Sequence, residues 1–261
     1  MLTLTNIQKT FAIGTVNEKK ALQGVDLHLD AGDFVTVLGS NGAGKSTLFG
    51  AIAGSFRPDT GSVVLDGQDI TAMPDYRRSK FIGRLFQDPL RGTAPNMTIE
   101  ENMALAYLRA SHSRSPFSTI TKRDREGFRE KLSMLDLGLE DRMNHPVGLL
   151  SGGQRQALTL LMATLVTPKL LLLDEHTAAL DPATAEKVLA LTKKIVAENN
   201  ITCLMITHNV PSALRLGNRT IMMKDGRIVL ELQGQERASM TPEDLLKAFH
   251  VETDRILFSA E

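Results

Sequence analysis

The sequence predicts an α/β fold: a core of strands alternating with helices, a run of strands near the start and an inserted helical lobe in the middle. Three observations predict it. Short apolar runs rich in β-branched residues alternate with helical stretches at both ends of the chain. A glycine-rich turn, Gly39 to Gly44, joins one such run to a helix. Between about Glu100 and Leu150 β-branched runs are scarce and helix formers dominate.

Each element follows in order. Leu2, Leu4 and Ile7 begin a strand, and Val25, Leu27 and Leu29 alternate in a second. Phe34 to Leu38 is a third, apolar enough to be buried. After the glycine turn a helix is predicted from Lys45 to about Ala53, stopped by Gly54. Gly61 to Gly67 reads as a short strand between turns. Glu100 to Ala110 and Lys122 to Leu137 have helical apolar spacing, and the Ser/Pro-rich stretch Ser111 to Thr121 between them reads as a loop. A helix is predicted from Gly153 to about Leu165, then a strand at Leu170 to Leu173, covered on both faces. Asp181-Pro182 opens a helix to about Asn199, since Asp is favoured at the N-cap and Pro at the first helical position. Ile201 to Thr207 is a strand. Thr220 to Lys224 and Arg227 to Leu232 flank Asp225-Gly226, a hairpin turn signal. Thr241 to Asp244 opens a last helix by the same capping logic, and no internal repeat is evident.

Composition narrows the function. The 261 residues carry 30 Lys plus Arg against 30 Asp plus Glu. This balance lacks the cationic excess that neutralises phosphates, so nucleic acid is not expected as a partner. A single cysteine, Cys203, cannot form an intrachain disulfide and fits a reducing compartment. No apolar stretch approaches the roughly 20 residues of a membrane-spanning helix, and the start of the chain does not read as a secretory signal.

Gly39-Ser40-Asn41-Gly42-Ala43-Gly44-Lys45-Ser46-Thr47 fits G-x-x-x-x-G-K-[ST] between a buried strand and a helix, the context that defines a phosphate-binding P-loop. The glycines let successive N–H groups turn toward one phosphate chain, and the helix start adds its positive dipole end. Lys45 would supply a cation to the β- and γ-phosphates. Ser46 would place a hydroxyl on Mg²⁺, and Thr47 would add a phosphate contact. A nucleoside triphosphate is therefore the expected ligand. Leu170 to Leu173 ends in Asp174-Glu175, two carboxylates at the end of a strand where α/β sheets bind ligands. Asp174 would hold Mg²⁺ through its water shell, and Glu175 would polarise an attacking water. Taken alone, the pair also reads as a solvated acidic strand end. Ser151, Gly152, Gly153 and Gln154 sit at a helix start. The residues leave two readings open there: an anion-binding helix terminus, or an N-capping serine beside flexible glycines.

Leu150-Ser-Gly-Gly-Gln154 resembles the signature motif of the ATP-binding-cassette family, and the P-loop resembles that family's version. In matching order stand Phe11, Gln87, Ala179-Leu-Asp-Pro182 and His208, which resemble the adenine-stacking aromatic, the Q-loop, the D-loop and the switch histidine. Each has a plainer reading beside it: a core aromatic, a loop glutamine, a helix cap and a surface histidine. The resemblance runs from about residue 2 to 232. It implies a P-loop NTPase (RecA-like) core with an antiparallel β subdomain and an α-helical subdomain at about 90–150, forming one ATPase domain over 1–232. Residues 233–261 are then a short helical C-terminal extension. Gln87 would touch Mg²⁺ and His208 the γ-phosphate and attacking water.

The resemblance also implies partners. A second copy would pair head to tail, with Ser151 and Gly153 completing the other copy's γ-phosphate site. Integral membrane permease subunits would bind the segment Asp88 to Thr98, placing the chain at the cytoplasmic face of the cell membrane. An extracytoplasmic substrate-binding protein would join indirectly. Position 176 is His where many members have Pro or Ser, and no role is assigned to it. The second arginine of many members is missing after Arg155. Asp174 to Pro182 resembles the ATPases of a bacterial uptake group of the tryptophan/tyrosine type, which implies import of a small molecule such as an amino acid. The other class to weigh is a soluble ATPase of the same superfamily acting on ribosomes or DNA. Those usually carry two cassettes or a long coiled-coil insert, and this chain has neither.

Overall fold

The computed structural model describes residues 1–110 and 120–248. Most of the expected loop at 111–121 and the end of the expected C-terminal extension lie outside the described residues. In chain order the elements are β1 (Leu2–Phe11), β2 (Lys19–Leu29), β3 (Phe34–Leu38), α1 (Lys45–Ala53), β4 (Thr60–Leu65), β5 (Gln68–Asp69), α2 (Asp75–Arg78), β6 (Ile82–Leu85), α3 (Ile99–Ala110), α4 (Lys122–Ser133), α5 (Gly152–Thr164), β7 (Leu170–Asp174), α6 (Pro182–Glu198), β8 (Thr202–Ile206), α7 (Val210–Arg215), β9 (Arg219–Lys224), β10 (Arg227–Gln233) and α8 (Gly234–Ser239). They form two compact units, one of residues 1–78 with the chain from 202 onward, the other of residues 79–201.

The first unit contains an antiparallel sheet in the order β2-β1-β4-β5. Leu2 lies between Leu29 and Leu65, and Leu4 between Leu27 and Val63. The alternation read from the sequence is therefore the inward face of this sheet. Beside it run β10-β9-β3-β8, with β3 parallel to both β8 and β9. All five residues of β3 are buried. Thr36 is tolerated there because its Oγ1 meets Thr220 Oγ1 at 2.8 Å and reaches Ala213 O at 3.2 Å, so its buried hydroxyl is paired.

Helix α1 ends at Gly54, left-handed at φ 81°. Its last carbonyls are closed by the buried Arg78, whose Nη1 donates to Ala51 O at 2.8 Å and Ile52 O at 2.7 Å. A cation suits this end of the helix dipole. Residues 242–248 are also helical, entered through a Thr241–Asp244 capping box, and Leu245 is buried with Leu38, Met222 and Leu232.

In the second unit β6 and β7 pair in parallel, Ile82 with Leu170 and Leu85 with Leu173, and Leu170 to Leu173 are fully buried. The helical lobe closes over Ile99 and Met103 of α3, Phe128 and Leu132 of α4, and Leu158 and Leu161 of α5. Helix α4 stops at Ser133, four residues short of the expected Leu137. Leu135 N and Asp136 N bond three residues back, and Asp136 turns left-handed at φ 53°. Leu135 and Leu139 still reach the core. The apolar spacing thus outlasts the helix that it resembles.

Candidate nucleotide site

The P-loop is built by backbone. Gly39, Gly42 and Gly44 have φ values of 147°, 84° and 101°, which a residue with a Cβ rarely adopts. Space excludes side chains too. A Cβ on Gly39 would run into Met223 O, and one on Gly44 would lie 2.6 Å from Ala21 O. The hairpin turn Asp225-Gly226, left-handed at both residues, presses on this loop. Gly226 N donates to Ala43 O at 3.0 Å, and Gln23 N from β2 donates to Gly226 O at 2.9 Å. Gln23 Nε2 adds a bond to Asp225 O at 2.7 Å. The loop is braced from below, while Ser40, Asn41 and Gly42 form its exposed crown.

Lys45 is buried on the first turn of α1 and donates from Nζ to Gly39 O at 2.6 Å and Ser40 O at 3.0 Å. The cation is thus folded back over the loop. Gly44, the N-cap of α1, supplies no side-chain acceptor to the first N–H groups of the helix. Those donors and the dipole suit an anion. Ser46 is exposed and Thr47 half-buried on the same turn. Lys19 of β2 was missed by the sequence reading. Its Nζ lies 3.5 Å from the point a Cβ on Gly42 would occupy, a second cation over the crown.

Phe11 ends β1 and is 40% exposed, so it is not a core aromatic. Its ring meets Phe56 edge-on, with centroids 5.4 Å apart. His208 is exposed two residues past β8, and the next residue, Asn209, caps α7 by accepting from Ser212 N at 2.8 Å.

In the second unit, Asp174 is the last residue of β7 and Glu175 follows it, both half-buried. Glu175 is left-handed at φ 45°. Arg84 on β6 stacks over Phe86, 4.6 Å from the ring centroid. Burial pulls its pKa below the ordinary value, and the charge of Asp174 pulls it back up. Gln87 is exposed just past the end of β6.

The signature residues form a capping box. Ser151 Oγ accepts from Gln154 N at 3.2 Å, and Gln154 Oε1 accepts from Ser151 N at 3.1 Å. The capping reading of Ser151 is therefore realised, and the hydroxyl proton is not consumed by it. Gly153 has a packing reason: a Cβ there would run into Thr184 Cγ2 on the first turn of α6. That turn is capped by Asp181, which accepts from Thr184 N at 3.1 Å.

Asn102 is a further residue that the sequence reading passed over. It is buried on α3, accepts from Ala94 N at 2.7 Å, and donates to Ala94 O, Met97 O and Thr98 O. It fastens the segment after Gln87. Gly148 N and Val147 N in turn donate to Pro95 O at 2.8 Å and Met97 O at 3.0 Å. No local signal separates such an asparagine from a surface one.

Ser46 in the first unit, and Gln87 and Asp174 in the second, each carry an oxygen donor, and that of Asp174 is a carboxylate. Mg²⁺ is commonly held by one or two carboxylates together with substrate phosphates, so these donors suit it. Among the described residues no cluster of three or more His, Cys, Asp or Glu could hold a metal by itself. No described helix is long and apolar enough to cross a membrane.

Residues 22–178 match the family model described as ABC transporter. The chain belongs to this family. The cassette is 40% identical to a tyrosine transport ATP-binding protein of Clostridioides difficile (strain R20291), over 95% of this chain and 98% of that protein. It is 35% identical to the methionine import ATP-binding protein MetN of Sodalis glossinidius, over 95% of this chain and 70% of that one. Among solved structures, the dimeric post-hydrolysis state of the ATP-binding cassette MJ0796, bound to ADP and Pi, superposes with a TM-score of 0.77. That similarity is at 32% identity and covers 89% of this chain and 98% of that one. The cassette is thus an ATP-hydrolysing, ATP-binding subunit of a transporter, with the P-loop fold of its structural neighbours.

Proposed function

We propose that the cassette binds Mg²⁺-ATP, pairs head to tail with a second copy, and drives import of a small molecule such as an amino acid through separate membrane permeases. The observation that supports the reading is that each expected group stands at or just beyond the end of an element. Lys45 and Ser46 open α1, Asp174 ends β7 with Glu175 next, Ser151 caps α5, and His208 follows β8.

In this reading the N–H groups of residues 39–47 and the Lys45 cation hold the phosphate chain, with Lys19 adding charge at the crown. Phe11 stacks on the adenine. Ser46, Asp174 and Gln87 hold Mg²⁺, which when bound neutralises phosphate charge. Glu175 accepts a hydrogen bond from water and aligns it with the γ-phosphorus, while His208 contacts the γ-phosphate. The Ser151 hydroxyl and the start of α5, with Gly152, Gly153 and Gln154, meet the γ-phosphate of the partner copy. Nucleotide then biases a closed against an open pair.

The segment Asp88 to Thr98 receives a permease helix. Its bonds to Asn102 and to residues 147–148 continue directly into Ser151, which supports a mechanical link from permease to signature. The amino-acid reading is supported by the tyrosine and methionine relatives.

The test is purification of the tagged chain from gently solubilised membranes, with ATP turnover measured beside it. A co-purifying multi-spanning permease and a binding protein are expected. A chain that stays soluble and brings down ribosomal or DNA-associated proteins would sink the transport reading.

A further inference from the structure

The surroundings of His176 give it a task. The ring is buried, 2% exposed, one residue after Glu175. Its Nε2 lies 3.1 Å from Thr192 Oγ1 on α6. Thr192 Oγ1 also lies 2.8 Å from Val188 O. A carbonyl cannot donate, so the one hydroxyl proton of Thr192 goes to Val188. The bond to His176 must then run the other way, with Nε2–H as donor and Thr192 Oγ1 as acceptor. This places a proton on Nε2.

The residue before it pays a conformational cost. Glu175 is left-handed at φ 45°, a conformation that a non-glycine residue adopts only at a cost. Such conformations persist where the surroundings over-determine them. On one side Glu175 is fixed by the buried strand β7, and its carbonyl accepts from Ala178 N at 3.0 Å. On the other side the next side chain is drawn into the core and tied to a neighbouring helix.

We propose that His176 is a positioning residue for Glu175, its ring donating to Thr192 and thereby fixing the left-handed turn on which Glu175 stands. This rests on the reading of Glu175 as the group that orients water. It predicts an effect on turnover and not on nucleotide binding, since neither His176 nor Thr192 belongs to the phosphate-binding set.

The deciding experiment uses the full chain and measures kcat for ATP, nucleotide Kd and melting temperature. The double variant His176→Leu/Thr192→Val removes both polar partners together, so it leaves no unpaired group in the core. It is expected to keep its melting temperature and Kd and to lose about tenfold or more in kcat, the scale of a displaced catalytic group. Thr192→Ser, which retains the acceptor, should keep kcat within about twofold. A folded double variant with unchanged Kd and unchanged kcat overturns the proposal. Should the double variant not fold, Thr192→Val and Thr192→Ser decide the same point, and equal kcat values in the two overturn it. Glu175→Gln serves as the control. If it hydrolyses ATP normally, the reading of Glu175 falls and the proposal with it. If it is inactive while the double variant is not, only the proposal falls.

Discussion

The two units hold their functional groups by different means. In the first, the P-loop is shaped by main chain: left-handed glycines, carbonyls of Ala21 and Met223 pressed against them, and N–H bonds from Gly226. In the second, side chains do the holding. Asn102 fixes the segment after Gln87, Gln154 and Ser151 cap each other, and His176 is tied to Thr192. A loop shaped by its backbone admits no side chain at its glycines. A site built by side chains can be retuned one residue at a time. The glycine-turn motif is accordingly shared among phosphate-binding proteins, while the His176–Thr192 contact depends on two particular side chains.

That contrast can be broken at several points. The largest effect is expected at Gly44. Gly44→Val adds branched carbons at a left-handed position against Ala21 O and should abolish nucleotide binding, read with a fluorescent ATP analogue. Parental affinity would show that the backbone brace is dispensable. Next, Glu175→Gln should lower kcat by about 10²–10⁴ while leaving nucleotide affinity near parental. A parental kcat would remove Glu175 from catalysis.

Asn102→Leu forfeits four side-chain hydrogen bonds and leaves Ala94 N without its partner, costing about 2–3 kcal/mol in denaturant unfolding. In reconstituted vesicles it should uncouple, cutting transport more than ATP turnover, as should substitutions along Asp88 to Thr98. Equal losses in both would break the proposed link to the permease.

His176 gives a pH signature. Its pKa is lowered in the fold from the ordinary 6.5 to about 4, so the unfolded chain binds a proton that the folded chain resists. Stability is therefore complete above pH 6.5 and falls as pH drops toward 4, by about 3 kcal/mol at most. The melting temperature of the His176→Leu/Thr192→Val variant should decline less over that range. The smallest expected effect is at Cys203, fully buried in β8 with its thiol pKa pushed up by burial. It should resist alkylation in the native protein and react in denaturant. Prompt native labelling would mean that β8 opens readily.

The sequence disclosed what is periodic or punctuated. Leu2, Leu4 and Ile7 alternate and form β1, Gly54 ends α1, and Asp181-Pro182 opens α6, because each signal acts within a few residues. Short elements escaped. Ile82–Leu85 is four residues long, and α7 covers only Val210–Arg215, too little for a period to show. The candidate site residues were named from motif and family pattern. Their supports were not. Lys19 is 23 residues from Gly42, Thr192 is 16 from His176, and Gln23 is 202 from Asp225, distances over which no local pattern operates. Arg78, buried in a run of charged residues, reads as a surface arginine until the carbonyls of α1 are seen around it.

One feature of the P-loop bears on how the protein is made. The loop is complete in sequence by Thr47, yet Met223 and Gly226, which press it into shape, are about 180 residues downstream. At the ordinary pace of roughly 5–20 residues per second, the ribosome delivers them some ten to forty seconds later. Through that interval the nascent chain carries the nucleotide motif without its brace. ATP capture thus waits on synthesis of the last hairpin, and a chain truncated before it would be born unable to load its fuel.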